Sequence, residues 1–298
     1  MKKMLVSGLI NVETSVNVDH FPVEYNPIEY PFFGVSTCVS GVGYNVAKAL
    51  YTLGETVDVL SLGGKDLLYE VAKATLKRGG IDSTRYYPVL EHTPTSVVLV
   101  DREGKRKIYC DLKDIQDREP LDPESVKVDD YSFAVLTNIN FNRKLLKAFH
   151  DKGITIATDV HVLYYVENEY NRDFMEYADI LFFSNEGVMG HEEEFIKALF
   201  KRYHNQIIVC GCGEKGALMY VGNEDKLYYQ DAVAPKGVVS TLGAGDALFS
   251  AFVYFYKKGE NLQKCLQNAV IFAGLKISEH GGSNGFVSEK EVLQYVPK

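Results

Sequence analysis

Strand and helix patterns alternate between about residues 130 and 212, and this alternation limits the fold more than any other feature of the chain. Short apolar runs predict strands, and stretches with apolar residues at helical spacing separate them. The order favours an α/β fold with a mainly parallel sheet and helices on both faces, because parallel strands need a crossover between them. The predicted strands are 133–136, 155–159, 180–184 and 207–210, and the predicted helices are 143–152, 171–178 and 192–203.

The first third of the chain adds a buried strand and a second strand–helix unit. Residues 4–10 are predicted to form the first strand, and helices 41–53 and 67–78 flank a further strand at 57–62. Glycines follow both helices, as is common at helix C-termini. We therefore expect one continuous sheet rather than separate domains.

Two β-rich segments interrupt this pattern, at about 12–36 and 92–112. In the second segment, the runs 95–100 and 107–110 flank a turn-like cluster and predict a hairpin. We expect both segments to form a small β lid over an otherwise single domain that spans 1–298.

The charge balance excludes several classes of partner. The chain has 32 Lys and Arg against 40 Asp and Glu, a net charge of −8, which argues against binding to nucleic acid or an anionic membrane. No apolar run approaches membrane-spanning length, and Asn11 ends the first run too early for a signal peptide. Five scattered cysteines suggest no disulfide framework. We expect a cytoplasmic protein.

Residues 243–246 read Gly-Ala-Gly-Asp and open an almost continuous apolar stretch, which predicts a buried helix. The first N–H groups of a helix lack intrahelical partners and favour an anion such as a phosphoryl group. A carboxylate in that first turn can accept the proton of a hydroxyl that attacks phosphorus. The alternative is structural, with Asp246 as a helix cap and the glycines as a tight turn.

With this motif the chain resembles the ribokinase-like (PfkB-type) sugar and nucleoside kinases, whose signature includes D-T-x-G-A-G-D. The resemblance implies a three-layer ribokinase-like fold, ATP and Mg²⁺ as cofactors, and Asp246 as the catalytic base. It also implies that Gly243, Ala244 and Gly245 form the anion hole for the γ-phosphoryl group. Ser240 replaces the opening Asp, which counts against the monovalent-cation site that the family often builds there.

The acceptor site follows from two further similarities. Residues 40–45 are similar to the family's G-G-x-x-x-N, which implies that Gly41 and Asn45 bind substrate hydroxyls. Asn11 and Glu13 stand where the family places an Asp or Asn pair with the same role. Together with Asp246 they form the predicted substrate site, and a plain helix-start turn is the structural alternative for Gly41.

The resemblance also places the nucleotide. Gly213 and Gly216 match a strand–turn–strand that borders ATP, Asn185 matches the Asn of N-x-x-E, and Asn268 lies where the family packs against adenine. Gly243 and Gly245 complete the predicted ATP contacts. No direct protein ligand to Mg²⁺ is predicted, since phosphates and water near Asn185 are expected to hold it. Val188 replaces the Glu of N-x-x-E, and structural roles are the alternatives for each residue.

Three remaining polar features are interpreted more simply. Asp159 ends a predicted strand at the edge where α/β proteins bind ligands, so it could approach metal or phosphate. His161 is interpreted as a residue on a surface loop. The run 192–194 of three glutamates is typical of a solvated helix start.

The sequence thus predicts an ATP-dependent kinase that phosphorylates a hydroxymethyl group of a sugar or nucleoside. The run 41–45 is somewhat like the G-V-G-x-N of pseudouridine-type kinases, which keeps a nucleoside kinase open. Val188 and Ser240 favour a different class, a ligand-binding or regulatory protein with weak catalysis. The resemblance also implies a homodimer through the lid, and the lid aromatics are candidates for base stacking or dimer contact, namely Tyr25, Tyr30, Phe32 and Phe33.

Overall fold

Strands and helices alternate along the computed structural model, which describes residues 3–297. Met1, Lys2 and Lys298, the ends of the predicted domain, lie outside the described residues. The strands are β1 (Lys3–Ser7), β2 (Asn11–Asn17), β3 (Val35–Ser40), β4 (Val57–Gly64), β5 (Asp82–Leu90), β6 (Thr95–Val100), β7 (Arg106–Asp111), β8 (Tyr131–Leu136), β9 (Thr155–Val162), β10 (Ile180–Ser184), β11 (Ile207–Gly211), β12 (Ala217–Val221) and β13 (Lys226–Gln230). The helices are α1 (Val42–Leu53), α2 (Leu67–Arg78), α3 (Pro123–Val126), α4 (Arg143–Asp151), α5 (Arg172–Tyr177), α6 (Glu192–Tyr203), α7 (Ala244–Lys257), α8 (Leu262–Lys276) and α9 (Glu289–Leu293).

The large sheet is mainly parallel, as predicted. Within residues 3–297 it contains nine strands in the order β13-β12-β11-β10-β9-β8-β1-β4-β5. All neighbours from β11 to β5 run parallel, whereas β12 and β13 are antiparallel additions at one edge. The functional residues that end parallel strands therefore gather at one edge of the sheet.

The central strands carry apolar residues on both faces, because helices cover both faces of the sheet. On β10, Ile180 and Phe182 pack into the core that α1, α7 and α8 share. Leu181 and Phe183 point to the opposite core, which α4, α5 and α6 cover. This alternation explains why buried parallel strands are continuous hydrophobic runs in the sequence. The predicted three-layer architecture is confirmed.

The helix that follows the Gly-Ala-Gly-Asp motif is buried, as predicted. Every residue of α7 from Ala247 to Phe255 is buried. The rings of Phe249 and Phe252 pack edge-on against Phe182, with centroids 4.9 and 5.3 Å away. This packing anchors α7 to the middle of the sheet, so the start of the helix has a defined position at the sheet edge.

A second sheet forms the lid, in the order β3-β2-β6-β7 across the described chain. The predicted hairpin is present as the antiparallel pair β6 and β7. The first lid segment differs from the expectation, because 18–34 carries no regular strand. Its prolines, Pro22, Pro27 and Pro31, lack the N–H that a strand ladder needs. In addition, β3 extends past residue 36 to Ser40.

Several element boundaries also differ. β1 ends at Ser7 rather than residue 10, because the Leu9 carbonyl accepts a hydrogen bond from Gly43 N–H at the start of α1. Edge strands β5 and β13 were not predicted, since their half-exposed residues form no continuous apolar run. The sequence predicts a helix and a Gly-Gly turn over 268–282, whereas α8 already begins at Leu262, with Asn261 as its cap. No helix in the described part of the chain combines the length and apolarity needed to cross a bilayer.

Candidate active site

The loop before α7 closes tightly onto the turn near residue 282. Gly243 caps α7 with φ 78°, and a Cβ there would lie 2.1 Å from the carbonyl oxygen of Gly282. Glycine is therefore required at this position. By contrast, a Cβ on Gly245 would meet nothing within 4 Å, because it points into open space in front of the helix. The Ala244 N–H donates to the Thr241 carbonyl at 3.2 Å, which stabilises the turn.

Asp246 lies in the first turn of α7 and faces α1. Asn45 Nδ2 donates to Asp246 Oδ2 at 2.7 Å and joins two helices that are 201 residues apart in sequence. Burial raises the pKa of Asp246 to about 6, and the nearby Asp159 adds to this rise, whereas Asn45, His161 and Lys276 oppose it. A carboxyl group with a pKa near neutrality is suited to accept a proton at physiological pH.

Of the residues predicted to bind substrate, Asn45 contacts Asp246 directly, and the others lie near the start of α1. Gly41 caps α1 with φ 97°, and a Cβ there would lie 2.6 Å from the Leu9 carbonyl and 3.1 Å from Asn11 Oδ1. Asn11 and Glu13 lie among the first residues of the lid strand β2, next to the N-terminal start of α1. Asn11 Nδ2 donates to Ser96 Oγ at 2.9 Å, and Ser40 Oγ donates to Glu13 Oε2 at 3.2 Å.

This group of side chains leaves acceptor atoms without hydrogen-bond partners. Seven buried side-chain nitrogen or oxygen atoms between residues 3 and 297 have no partner, and three of them are Asn11 Oδ1, Glu13 Oε1 and Asn45 Oδ1. Burial of an unpaired polar atom is costly, so such atoms mark sites that a ligand completes. All three atoms can accept hydrogen bonds, so a ligand that completes them would present O–H or N–H donors.

Comparisons with known proteins identify the family and the fold. The model of the pfkB family carbohydrate kinases matches residues 1–289. This chain belongs to the pfkB family. It is 22% identical to the 5-dehydro-2-deoxygluconokinase of Clostridium perfringens over 95% of this chain and 92% of that protein. It is also 22% identical to the nucleoside kinase of Methanocaldococcus jannaschii, over 100% and 98% of the two chains. A microbiome-derived acarbose kinase has the same fold, with a TM-score of 0.87, 21% identity and 98% coverage of both chains.

In this pfkB-family kinase, another carboxylate lies beside Asn185 although Val188 replaces the Glu of N-x-x-E. Val188 is buried among the apolar side chains of the second core, so it cannot reach a ligand. Asn185 Nδ2 instead donates to Glu192 Oε1 at 2.8 Å, in the first turn of α6. This hydrogen bond lowers the pKa of Glu192. Glu192 was interpreted only as part of a solvated helix start, because seven residues separate it from Asn185.

These oxygen donors suit Mg²⁺ that arrives with the nucleotide. Mg²⁺ prefers hard oxygen ligands and keeps several waters, with one or two carboxylates and phosphates completing its shell. The described residues contain no cluster of three His, Cys, Asp or Glu side chains able to cage an ion. Asn185 and Glu192 would hold the hydrated ion beside the phosphates.

The other predicted nucleotide residues lie in two places. Gly213 and Gly216 flank the turn that joins β11 to the antiparallel β12, as the strand–turn–strand pattern predicts. Asn268 is buried in α8, two turns before the end of that helix. Their contacts with ATP stay predictions.

Two basic residues that the sequence did not predict contact the loop 240–243 before α7, called the phosphate loop below after its proposed role. Arg106, at the start of β7, donates from Nη1 to Thr241 Oγ1 at 2.8 Å and so connects the lid to the loop. Lys276, the last residue of α8, hydrogen-bonds to the carbonyl of Leu242. Neither lies in a recognisable motif, and only their distance in space from residues 241–243 reveals them. The predicted surface position of His161 agrees with its exposed side chain.

Proposed function

We propose that this protein transfers the γ-phosphoryl group of ATP to a hydroxymethyl group of a sugar or nucleoside. The observation that carries the proposal is the set of unpartnered acceptors on Asn11, Glu13 and Asn45 around Asp246. Hydroxyl groups of a sugar or a ribose would donate to these atoms. The same contacts would bring one alcohol oxygen next to the Asp246 carboxylate.

The chemistry uses the start of α7. The alcohol oxygen attacks the γ-phosphorus as its proton passes to Asp246, and the bond from phosphorus to the β–γ bridging oxygen breaks to release ADP. The N–H groups of Gly243 and Gly245 would stabilise the charge on the equatorial oxygens, whereas the Ala244 N–H would share its bond to the Thr241 carbonyl. Mg²⁺, when bound with ATP, neutralises phosphate charge beside Asn185 and Glu192. We keep Gly243, Ala244 and Gly245 as the proposed anion hole.

The lid aromatics bear on whether the proposed acceptor is a sugar or a nucleoside. The aromatic residues considered for base stacking lie on the 18–34 segment and are strongly exposed, from 73% for Tyr30 to 104% for Phe33. Tyr30 and Phe32 stack on each other, with ring centroids 6.3 Å apart. They do not contribute to the buried acceptor site. The polar atoms that surround Asp246 therefore favour a hydroxyl-rich sugar, with the ribose of a nucleoside as the alternative acceptor.

The exposed aromatic segment supports the proposed homodimer through the lid. Exposed apolar side chains continue from Tyr25 and Phe32 to Val35 on β3, and Ile108 and Tyr109 expose apolar surface on β7. Clusters of exposed apolar side chains are found at protein–protein contacts. Light scattering coupled to gel filtration tests the proposal. A monomer mass at working concentrations would refute it.

A second candidate is a ligand-binding or regulatory protein that retains the fold with weak catalysis. Val188 and Ser240 favour it, because both replace acidic residues of the family pattern. The position of Glu192 beside Asn185 weakens the first of these arguments. Asp246, with its pKa raised towards neutrality by burial, favours catalysis.

An ADP-release assay on a panel of sugars and nucleosides distinguishes the candidates. The kinase proposal expects one acceptor to accelerate ADP release well above the rate of ATP hydrolysis alone. Asp246→Asn should abolish that acceleration while the variant still binds the acceptor in a thermal-shift assay. Acceptor binding without phosphorylation by the native protein would instead support the ligand-binding candidate.

A further inference from the structure

Lys276 is buried in a place where charged side chains are rarely found. Among residues 3–297 it is the one lysine or arginine that is buried, with an exposed fraction of 0%. Lysine is almost never fully buried unless its charge is compensated. The position therefore requires a physical reason beyond packing.

The ammonium group is held by main-chain carbonyl oxygens. Lys276 Nζ donates to the carbonyl of Leu242 and, at 2.7 Å, to the carbonyl of Gly281. Both partners are neutral oxygens, so the contact differs from a salt bridge. Rings of main-chain carbonyls are the environment in which proteins bind desolvated alkali cations.

These two carbonyls belong to the segments that meet behind the anion hole. Leu242 precedes Gly243, and Gly281 precedes Gly282, whose carbonyl lies against Gly243 at the start of α7. The Val239 and Ser240 N–H groups also donate to the Ile277 carbonyl at 2.8 and 3.0 Å. Lys276 thus connects the end of α8 to both segments and sets the position of the phosphate loop.

Two nearby carboxylates offset part of the cost of burying this positive charge. Burial lowers the pKa of Lys276 to about 8, while Asp246 and Glu13 oppose that change, as does Cys38. Arg106 acts in the same direction as burial. The two carboxylates that compensate the ammonium are those of the proposed catalytic and substrate sites.

The residues present do not fit the monovalent cation that the family resemblance implies near residue 240. Ser240 offers no carboxylate, and an ammonium group already uses the carbonyl oxygens of Leu242 and Gly281. We infer that Lys276 takes the place of that cation, as a positioning residue that holds the phosphate loop, and that the protein needs no K⁺. This inference rests on the proposed kinase function, and the experiment below separates the two.

The first measurement needs no variant. Phosphoryl transfer by the native protein is compared in KCl, NaCl and tetramethylammonium chloride at equal ionic strength. At pH 7 we expect rates within about twofold of each other, because Lys276 is mostly protonated below its pKa of about 8 and its ammonium occupies the site. Activation by K⁺ of about tenfold or more would overturn the inference.

Two substitutions then separate a positioning role from a merely structural one. Lys276→Ala leaves space beside the two carbonyls, and we expect kcat to fall about tenfold or more with little change in KM for the acceptor. K⁺ or NH₄⁺ should restore much of that loss, whereas tetramethylammonium is too large to enter. Lys276→Met fills the space with an apolar chain and should lose activity without rescue. Lys264→Met, at an exposed position on the same helix, serves as the control and should resemble the native protein.

Thermal stability provides a readout that does not depend on turnover. Ligand binding to the native state raises Tm, so K⁺ should raise the Tm of Lys276→Ala more than tetramethylammonium does. The native protein and Lys276→Met should show no K⁺-specific rise. Equal Tm shifts of Lys276→Ala in all three salts, together with unrescued activity, would overturn the inference. If the native protein phosphorylates no acceptor, the proposed function fails, and the K⁺-specific Tm rise still decides the role of Lys276.

Discussion

The kcat/KM for the acceptor should fall on the acid side of its pH profile (the acid limb) because of Asp246, and an ordinary aspartate would not cause this fall. Burial raises the pKa of Asp246 to about 6 from the usual 3.8, so protonation removes the proposed base within the working pH range. At pH 5 only about a tenth of such a group is ionised, whereas more than roughly nine-tenths would be ionised at the ordinary pKa. The kcat/KM for the acceptor should therefore fall by about tenfold between pH 7 and pH 5, since this parameter reports ionisations of the free enzyme.

The nearby carboxylate of Asp159 offers a way to move this limb. Asp159 raises the pKa of Asp246 through like-charge repulsion, so Asp159→Asn should shift the acid limb to lower pH. Glu70→Gln, at an exposed position on α2, is the matched control and should leave the profile unchanged. ADP is measured directly by chromatography, because coupling enzymes have pH profiles of their own.

Two results would refute the reasoning. A kcat/KM that stays level down to pH 5 would mean that Asp246 is not the base or is not desolvated. A shift of the limb to higher pH in Asp159→Asn would contradict the assigned sign of the interaction. Circular dichroism across the same pH range verifies that the fold is retained.

Three other substitutions test the site. Asp246→Asn should lower kcat by about a thousandfold or more. It should also stabilise the fold at pH 7 by about 1 kcal/mol after allowance for partial exposure, because a raised pKa means that the ionised carboxylate destabilises the native state above pH 6. This gain in stability should vanish as the pH falls towards 3.8. A lower Tm for Asp246→Asn at pH 7 would contradict the prediction. Gly243→Ala should destabilise the fold by about 1–3 kcal/mol. Gly245→Ala should keep or raise Tm but reduce turnover, since its methyl group occupies the space proposed for phosphate. Full activity of Gly245→Ala would exclude that position from the anion hole. Glu192→Gln should raise severalfold the Mg²⁺ concentration that gives half the maximal rate, and Glu194→Gln is the exposed control. Equal Mg²⁺ dependence of the two variants would mean that Glu192 does not act on the metal.

Much of the fold could be predicted because its signals are local. The bounds of α2 and α6 agree with the predicted 67–78 and 192–203, since helical periodicity and end residues lie within each segment. Strands β5 and β13 escaped prediction, because an edge strand buries too little of its surface to produce an apolar run. The lid segment 18–34 shows the opposite case, in which β-favouring residues are overruled by prolines.

In the candidate site too, local features could be predicted from the sequence and contacts between distant segments could not. The Gly-Ala-Gly-Asp motif could be read directly, because consecutive residues at one helix start carry its chemistry. Asn45 was predicted as a substrate residue, but the hydrogen bonds around the motif could not be predicted, since each joins distant segments. Asn45 reaches Asp246 across 201 residues, and Arg106 reaches Thr241 across 135.

By itself, the amino-acid sequence determined the alternation of strands and helices, the buried helix α7 and the carboxylate at its first turn. Only the tertiary structure decided that Glu192 stands beside Asn185, that Lys276 lies under the phosphate loop, and that Asp246 is desolvated. The physical reason is that periodicity and capping act between near neighbours in the chain, whereas burial and charge compensation depend on which segments meet in space.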